Sequence, residues 1–224
     1  MILAHYLLST PISFKENVIN VLTVEEPRTL RSFLTQLTAQ QQGDEGGFVL
    51  SDKSGILEFS KYAAVITDAF GMTLNSKNIR SRLEKQAVSY AEGHERELTC
   101  ALNAVNELGA LTAMDFSENV ACSFVETADL IKTLGFYIDE EGLELPQKAL
   151  EYMRIYRSFF GTRLFVFCGL KAYLSQDELS GLYKSICYEK FDVLLIESSY
   201  REPVLPIEIN RIIDADLCEI DGDH

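Results

Sequence analysis

Two apolar runs in the last third of the chain constrain its fold most. They lie in Arg163–Cys168 and Val193–Ile196, which are apolar apart from Arg163, and neither alternates apolar with polar residues. Helical patterns over 146–160 and 175–187 precede them. Strands that are apolar throughout and alternate with helices are typical of parallel strands buried on both faces. The sequence therefore predicts an α/β fold with a mostly parallel sheet.

Further strands are expected near both ends of the chain, from short apolar runs bounded by Pro, Gly, Asn or Asp. These runs are 1–8, 17–24, 47–50, 56–59, 136–138 and 216–220. A helix is expected over 29–42, with Leu30, Phe33, Leu34 and Leu37 on one face. Residues 1–60 and 135–224 then form an α/β head, and 61–134 form an inserted helical leg.

The leg is dominated by one long apolar stripe with a spacing of about 3.6 residues, the helical period. Its members are Ile79, Leu83, Ala87, Tyr90, His94, Leu98, Ala101, Val105 and Leu108. The stripe predicts a single helix from Asn75 or Ser76 to about Leu111, with one face buried throughout and Gly93 as its weak point. A second helix is expected over 120–134, ending at Gly135.

Composition is that of a soluble globular protein, with 47% hydrophobic and 24% charged residues. The formal charge of −14 argues against nucleic-acid binding through charge spread over the whole surface. The five cysteines are scattered and include no C-x-x-C pair, which excludes the usual zinc spacings and a disulfide framework. With no signal peptide or membrane span expected, the sequence favours a cytoplasmic protein with reduced, packing cysteines.

The residues give little support to an enzyme. The turn between the strand at 17–24 and the next helix contains Glu25 and Glu26 and lacks the glycines and lysine of a phosphate loop. Glu197, at the end of an apolar strand, has the placement of a magnesium ligand, although such an acid is common in any α/β sheet. No histidine accompanies a Ser or Cys motif, so nucleophilic catalysis is not favoured either.

Two charge patterns each leave two interpretations open. Basic residues concentrate at the start of the long helix, as a solvated face or as a stripe that follows phosphates. They are Lys77, Arg80, Arg82 and Lys85. Carboxylates flank the link into the next helix, as ordinary surface acids or as oxygen ligands for Ca²⁺. They are Asp115, Glu118, Glu126 and Asp129.

Four stretches in this order resemble a known family. They are 65–79 (VITDAFGMTLNSKNI), 129–138 (DLIKTLGFYI), 164–167 leading into 174–179, and 193–197 (VLLIE). The chain resembles the Csn-type CRISPR-associated adaptation proteins of subtype II-A, in the short form of that family. No single stretch is specific, but their colinearity is.

The resemblance implies a P-loop-like head with a degenerate nucleotide site and a helical leg, assembled as a homotetrameric ring. It further implies sequence-independent binding of double-stranded DNA ends, Ca²⁺ dependence and no catalysis. The context would be spacer acquisition in antiviral defence, beside the CRISPR integrase proteins and the RNA-guided effector nuclease, without a membrane partner.

On the leg, the candidate DNA-binding residues are Lys77, Arg80, Arg82, Lys85 and Lys132. The candidate metal ligands are Asp115, Glu118, Glu126 and Asp129, of which the first two match the family pattern better. Two alternative functions are a divergent P-loop-type nucleotide-binding enzyme that uses Glu197, and a protein adaptor that does not contact DNA.

Overall fold

The computed structural model describes residues 1–202 and 204–221. The chain divides into two units. Met1–Thr73 and Glu141–His224 form the first, called the α/β unit below, and Leu74–Glu140 form the second, called the helical unit. Each unit is described separately.

The α/β unit contains all the strands found in the described residues. They are β1 (Ile2–Ala4), β2 (Ile12–Ser13), β3 (Ile19–Val24), β4 (Val49–Asp52), β5 (Gly55–Leu57), β6 (Ala63–Ile66), β7 (Leu164–Cys168), β8 (Asp192–Glu197), β9 (Glu208–Ile213) and β10 (Glu219–Asp221).

Helices occur in both units. They are α1 (Pro27–Gln41), α2 (Phe59–Tyr62), α3 (Lys77–Glu92), α4 (Glu95–Met114), α5 (Thr127–Leu134), α6 (Leu145–Phe160) and α7 (Gln176–Glu189), and a short 3₁₀ helix (Leu170–Tyr173) follows β7. Of these, α3, α4 and α5 belong to the helical unit.

A six-stranded sheet organises the α/β unit, in the order β10-β9-β3-β8-β7-β6. Every pairing in it is parallel except that of β10 with β9. All six residues of β3 are buried, as are Leu164 to Phe167 and Val193 to Glu197. The predicted α/β class, with its mostly parallel sheet of strands buried on both faces, is therefore confirmed.

Each face of this sheet has its own cover. Leu22, Val166 and Leu194 share a core with Phe33 of α1 and with the four-stranded antiparallel sheet β2-β1-β4-β5. On the opposite face, Phe165 meets Phe191 edge to face with ring centroids 5.5 Å apart. The helices α6 and α7 pack against each other there. The sheet is the middle layer of the unit, and its carboxyl ends form one open edge.

His5 follows β1 and lies buried among aromatic rings, with Phe33 and Phe48 at centroid distances of 4.5 and 4.4 Å. Its Nδ1 accepts the Leu7 N–H at 3.2 Å, and its Nε2 lies 3.3 Å from Gln36 Oε1. This pattern suits a neutral imidazole that donates from Nε2. Burial lowers the pKa of His5 below its usual value of 6.5.

A loss of stability in mild acid follows from His5. Because the folded pKa lies below the unfolded one, the unfolded chain takes up the proton first as the pH falls below about 6.5. We expect the urea midpoint of the wild type to decrease more between pH 7.5 and 5 than that of H5N, whose amide retains both hydrogen-bonding roles without titrating. Identical pH profiles would contradict this assignment.

The predicted single long helix is wrong, because α3 ends at Glu92 and α4 begins at Glu95. The Gly93 N–H bonds to Tyr90 O at 3.1 Å, and His94 leaves the helical region with φ −110° and ψ 51°. Glycine loses more conformational entropy in a helix than other residues do, which makes this position the cheapest place to break. His94 is exposed, and so are most residues of the stripe that was predicted to be buried. No residue of α4 is buried.

Other differences from the sequence predictions have local causes. Residues 136–138 form no strand, because the N–H and C=O of Ile138 bond to the amide side chain of Asn75, each at 2.8 Å. The helix expected over 120–134 is limited to α5. It does end at Gly135, which takes the left-handed conformation with φ 65°. The cap of α3 is Ser76.

The predicted leg, 61–134, does not coincide with the helical unit. The predicted leg includes β6, but β6 pairs with β7 in the α/β unit. The apolar run Ala63–Ile66 has the length of a strand. The strand β9 was not expected.

The five cysteines form no disulfide, but Cys100, Cys122 and Cys218 are exposed, so the expectation that they pack in the core is wrong for these three. Among the described residues, no helix is long and apolar enough to cross a membrane.

Candidate nucleic-acid interface

The basic residues predicted for DNA binding define one face of α3. Lys77, Arg80, Arg82 and Lys85 are all exposed, whereas Ile79 is fully buried. At about 100° per residue, the four cover an arc of about 200° opposite Ile79 and Leu83. We call this surface the basic face. The 3.6-residue period of the helix therefore separates it from the apolar side.

The position of the basic face opposes the electrostatics of its own helix. No Asp or Glu occurs between Asp68 and Glu84, and the first turn of α3 contains no acidic residue. Because the amino end of a helix carries partial positive charge, each cation near it costs about 0.3–1 kcal/mol. Ser76 occupies two of the first N–H groups of α3, since its Oγ accepts the Ile79 N–H at 3.4 Å and its carbonyl accepts the Arg80 N–H at 2.9 Å. The side chains of the basic face, more than the start of the helix, are therefore what would attract an anion.

Lys132 lies on another helix, in the last turn of α5, and is exposed. A cation near the carboxyl end of a helix is stabilising. Lys132 therefore stabilises α5 whether or not it also binds a ligand.

The four predicted metal ligands are exposed and have separate local roles. Asp115 caps the end of α4, and Asp129 Oδ2 accepts the N–H of Glu126 at 3.4 Å at the start of α5. Glu118 lies in the link between these helices. Across the described residues, no three His, Cys, Asp or Glu side chains are grouped closely enough to hold a metal ion. Carboxylate oxygens suit Ca²⁺ chemically, but a single copy of the chain does not assemble a site from these four.

The loop between β3 and α1, where a phosphate loop would lie, is closed by its own carboxylate. Glu26 Oε1 accepts the Arg28 N–H at 3.0 Å, and Oε2 accepts the N–H of Thr29 at 2.6 Å and its hydroxyl at 2.9 Å. These hydrogen bonds, led by that from Arg28, lower the pKa of Glu26. The donors that would bind a phosphate at this helix start are therefore already occupied.

Glu197, the candidate of the enzyme alternative, is a buried structural acid with 5% of its surface exposed. Its Oε1 accepts the N–H of Lys171, in the 3₁₀ helix, at 3.0 Å. Burial raises the pKa of Glu197 above its usual value. The carboxylate therefore anchors the 3₁₀ helix to the sheet and does not reach solvent as an open metal ligand.

A buried polar network that was not predicted from the sequence is joined to Glu197 through Lys171. Lys171 Nζ lies 2.8 Å from Glu208 Oε2, in an ion pair that is almost completely buried. Glu208 also accepts the hydroxyl of Tyr183 at 2.8 Å and the Nδ2 of Asn210 at 3.3 Å. The sequence of β9, Glu-Ile-Asn-Arg-Ile-Ile, alternates polar and apolar residues only over its first three positions, so the signal for this strand is weak.

Apolar side chains remain exposed in the helical unit. An apolar cavity of about 400 Å³ lies within it, lined by residues of α3, α4 and α5 and by Phe136. Further exposed apolar residues of the unit are Tyr90, Leu108, Leu111, Met114, Phe116 and Phe124. Exposed apolar residues that form a contiguous patch mark interaction surfaces.

The fold and this site together define an α/β protein with a helical unit, a basic helical face and no glycine-rich phosphate loop between β3 and α1. A family model for the CRISPR-associated protein Cas_Csn2 matches residues 40–217. The chain belongs to the Cas_Csn2 family and has a CRISPR-associated role in antiviral defence.

One similar solved structure is a putative ABC transporter ATP-binding protein from Pyrococcus furiosus. It is 10% identical, and the alignment covers 90% of this chain and 88% of that one, with a TM-score of 0.37. A TM-score this low does not establish a shared fold.

Proposed function

We propose that this protein binds double-stranded DNA ends without sequence preference and without catalysis, as a homotetrameric ring that acts in spacer acquisition. The observation that carries the proposal is the basic face of α3, which concentrates cations in an otherwise acidic member of the Cas_Csn2 family. Residues Lys77, Arg80, Arg82 and Lys85 are assigned to phosphate contacts, with Lys132 as an additional contact.

Phosphate contacts explain both the lack of sequence preference and a strong response to salt. Bases are distinguished in the grooves, whereas contacts to phosphates carry no direct sequence information. Each neutralised phosphate releases counterions, so the logarithm of the binding constant falls by about 0.9 per contact for each tenfold increase in salt. A basic face repeated in several copies would multiply this dependence.

Self-association is supported by the exposed apolar side chains of the helical unit. Covering Leu108, Leu111 and Met114 with a second copy would remove them from water, at about 25 cal/mol per Å² of apolar surface. Four copies, each with a formal charge of −14, also repel one another. A Ca²⁺ requirement is part of the proposal for this reason, with Asp115, Glu118, Glu126 and Asp129 as the carboxylates to test.

A gel shift with linear and closed circular duplexes tests the function directly, in Ca²⁺ and in chelator, with a solution mass measured under the same conditions. In Ca²⁺ we expect a tetramer that binds linear DNA more tightly than the closed circle. In chelator we expect its binding to linear DNA to weaken. A monomer in Ca²⁺, or no binding to linear DNA in any condition, would overturn the proposal.

The proposal also includes a P-loop-like origin for the sheet, with nucleotide binding lost. Glu26 supports this part, because its carboxylate bonds to the donors at the start of α1. We expect no change in the thermal midpoint on adding ATP with Mg²⁺. A saturable rise of the thermal midpoint would favour the alternative of a nucleotide-binding enzyme.

In the gel shift, a tetramer that bound no DNA would favour the alternative of a protein adaptor. The integrase proteins and the RNA-guided nuclease are the proposed partners in the cell.

A further inference from the structure

Two exposed aromatic rings lie together at the carboxyl edge of the six-stranded sheet. Phe70 follows β6 and Tyr173 ends the 3₁₀ helix after β7, with 66% and 54% of their surfaces exposed. Their ring centroids are 4.8 Å apart at an interplanar angle of 71°. We call them the aromatic pair. The carboxyl edge of a parallel sheet is where α/β proteins place their ligands.

Neither ring is needed to fill the core at this edge. The residues beside them in the chain, Ala69 and Leu174, are the buried ones. A phenylalanine left mostly in water gains little from burial, so packing within this chain does not explain its presence.

The backbone on both sides of the aromatic pair is held in place. The Phe70 N–H donates to Asp68 Oδ1 at 3.0 Å. On the other side, the Lys171 N–H donates to Glu197 Oε1, and the Lys171 carbonyl accepts Arg201 Nη1 at 2.6 Å. The backbone that carries the two rings is therefore fixed by hydrogen bonds, and less backbone entropy is lost when a partner binds.

The charges near the aromatic pair select the class of partner. Asp68 lies two residues before Phe70, and Asp177 lies four residues after Tyr173, and both are exposed. Lys171 is buried and paired with Glu208, and Arg201 donates to the Lys171 carbonyl, so one exposed cation is set against these two exposed carboxylates. A phosphate or a nucleic acid would be repelled by the flanking carboxylates, whereas a cation would be attracted.

We propose that the aromatic pair is a docking site for an arginine side chain presented by a protein partner. A guanidinium group is planar, stacks on aromatic faces and donates to carboxylates in a fixed geometry. The exposed rings supply the stacking surface, and Asp68 and Asp177 supply the complementary charge. The site belongs to the α/β unit, whereas the basic face belongs to the helical unit.

The test uses the full chain labelled with ¹⁹F-phenylalanine, with the Phe70 resonance assigned by its loss in F70L. The probe is a glycine-spaced peptide with three arginines, and the matched probe carries three lysines. We expect the arginine peptide to shift the Phe70 resonance saturably and the lysine peptide to bind at least tenfold more weakly. No shift of this resonance, or equal binding of the two peptides, would overturn the proposal.

Calorimetry with F70L/Y173L completes the test. We expect the affinity for the arginine peptide to fall at least tenfold, while Y188L, at an isolated tyrosine of α7 that is 88% exposed, leaves it unchanged. Unchanged affinity in F70L/Y173L would mean general attraction to an acidic protein and would overturn the proposal, as would equal losses in the two variants. A shift of the Phe70 resonance on adding oligo(dT) would indicate that bases stack on the rings, and it would also overturn the proposal. A lower solution mass of F70L/Y173L would indicate that the rings contact a second copy of the chain, with the same consequence. Duplex binding is expected to be unchanged in F70L/Y173L.

Discussion

Charge reversal at Arg80 and Arg82, in the variant R80E/R82E, is expected to weaken binding to linear duplex at least about tenfold, or about 1.4 kcal/mol. Both side chains are exposed on the basic face, so the substitutions remove two phosphate contacts in each copy and place carboxylates against the duplex. The slope of the logarithm of affinity against the logarithm of salt should also become shallower, by about 0.9 for each phosphate that is no longer neutralised. Gel shifts or fluorescence anisotropy at several salt concentrations measure both effects.

The matched control is R28E/R31E, which makes the same change in charge at two exposed arginines of α1. Because α1 belongs to the α/β unit, we expect this variant to retain affinity within about twofold. The solution mass of both variants should equal that of the wild type, since neither pair lies among the exposed apolar residues. Equal losses of affinity in the two variants would mean that net charge, and not the basic face, governs binding.

Replacement of Lys171 by methionine is expected to cost about 3–5 kcal/mol in the free energy of unfolding. The substitution leaves Glu208 buried without its cation, although Tyr183 and Asn210 still donate to it. Removing one partner of a buried ion pair is destabilising because an uncompensated charge stays in a region of low dielectric constant. Denaturation by urea at pH 7 gives the value.

Two comparisons separate the ion pair from general effects of the substitution. K184M removes an exposed lysine of α7 and should change stability by less than about 0.5 kcal/mol. The double variant K171M/E208Q should be more stable than K171M, because its glutamine carries no charge and can still bond to Tyr183. If K171M were no less stable than K184M, the ion pair would not stabilise the α/β unit.

The sheet was predictable because its strands carry a local signal. Leu164–Cys168 and Val193–Ile196 are apolar at every position, which a parallel strand covered on both faces requires and few other structures do. The start of α7 was also predictable, since Ser175 and Glu178 have the sequence spacing of a capping box and form one in the structure. The strand β9 was missed because its buried acid, Glu208, is explained only by Lys171 and Tyr183, which are distant in sequence.

In the helical unit, periodicity located the helical segment but not its break or its environment. The stripe from Ile79 to Leu108 has the correct spacing, yet His94 and Leu108 are exposed, since periodicity describes a face and not what covers it. The basic face was predictable as a surface, because its four residues are close in sequence and lie on one helix. Whether the four acidic candidates meet depends on tertiary structure and on other copies of the chain, which spacing alone cannot supply.

The carboxylate of Glu26 has a consequence for how such a protein would do work. A nucleotide-driven machine changes shape because its phosphate loop is filled and emptied in turn, whereas here the group that bonds to the start of α1 is covalently part of the chain. Under the proposed function, this loop is not loaded and released in a cycle and supplies no directional free energy. Closing around a DNA end is then an equilibrium process, reversible and set by the concentrations of DNA, salt and cation.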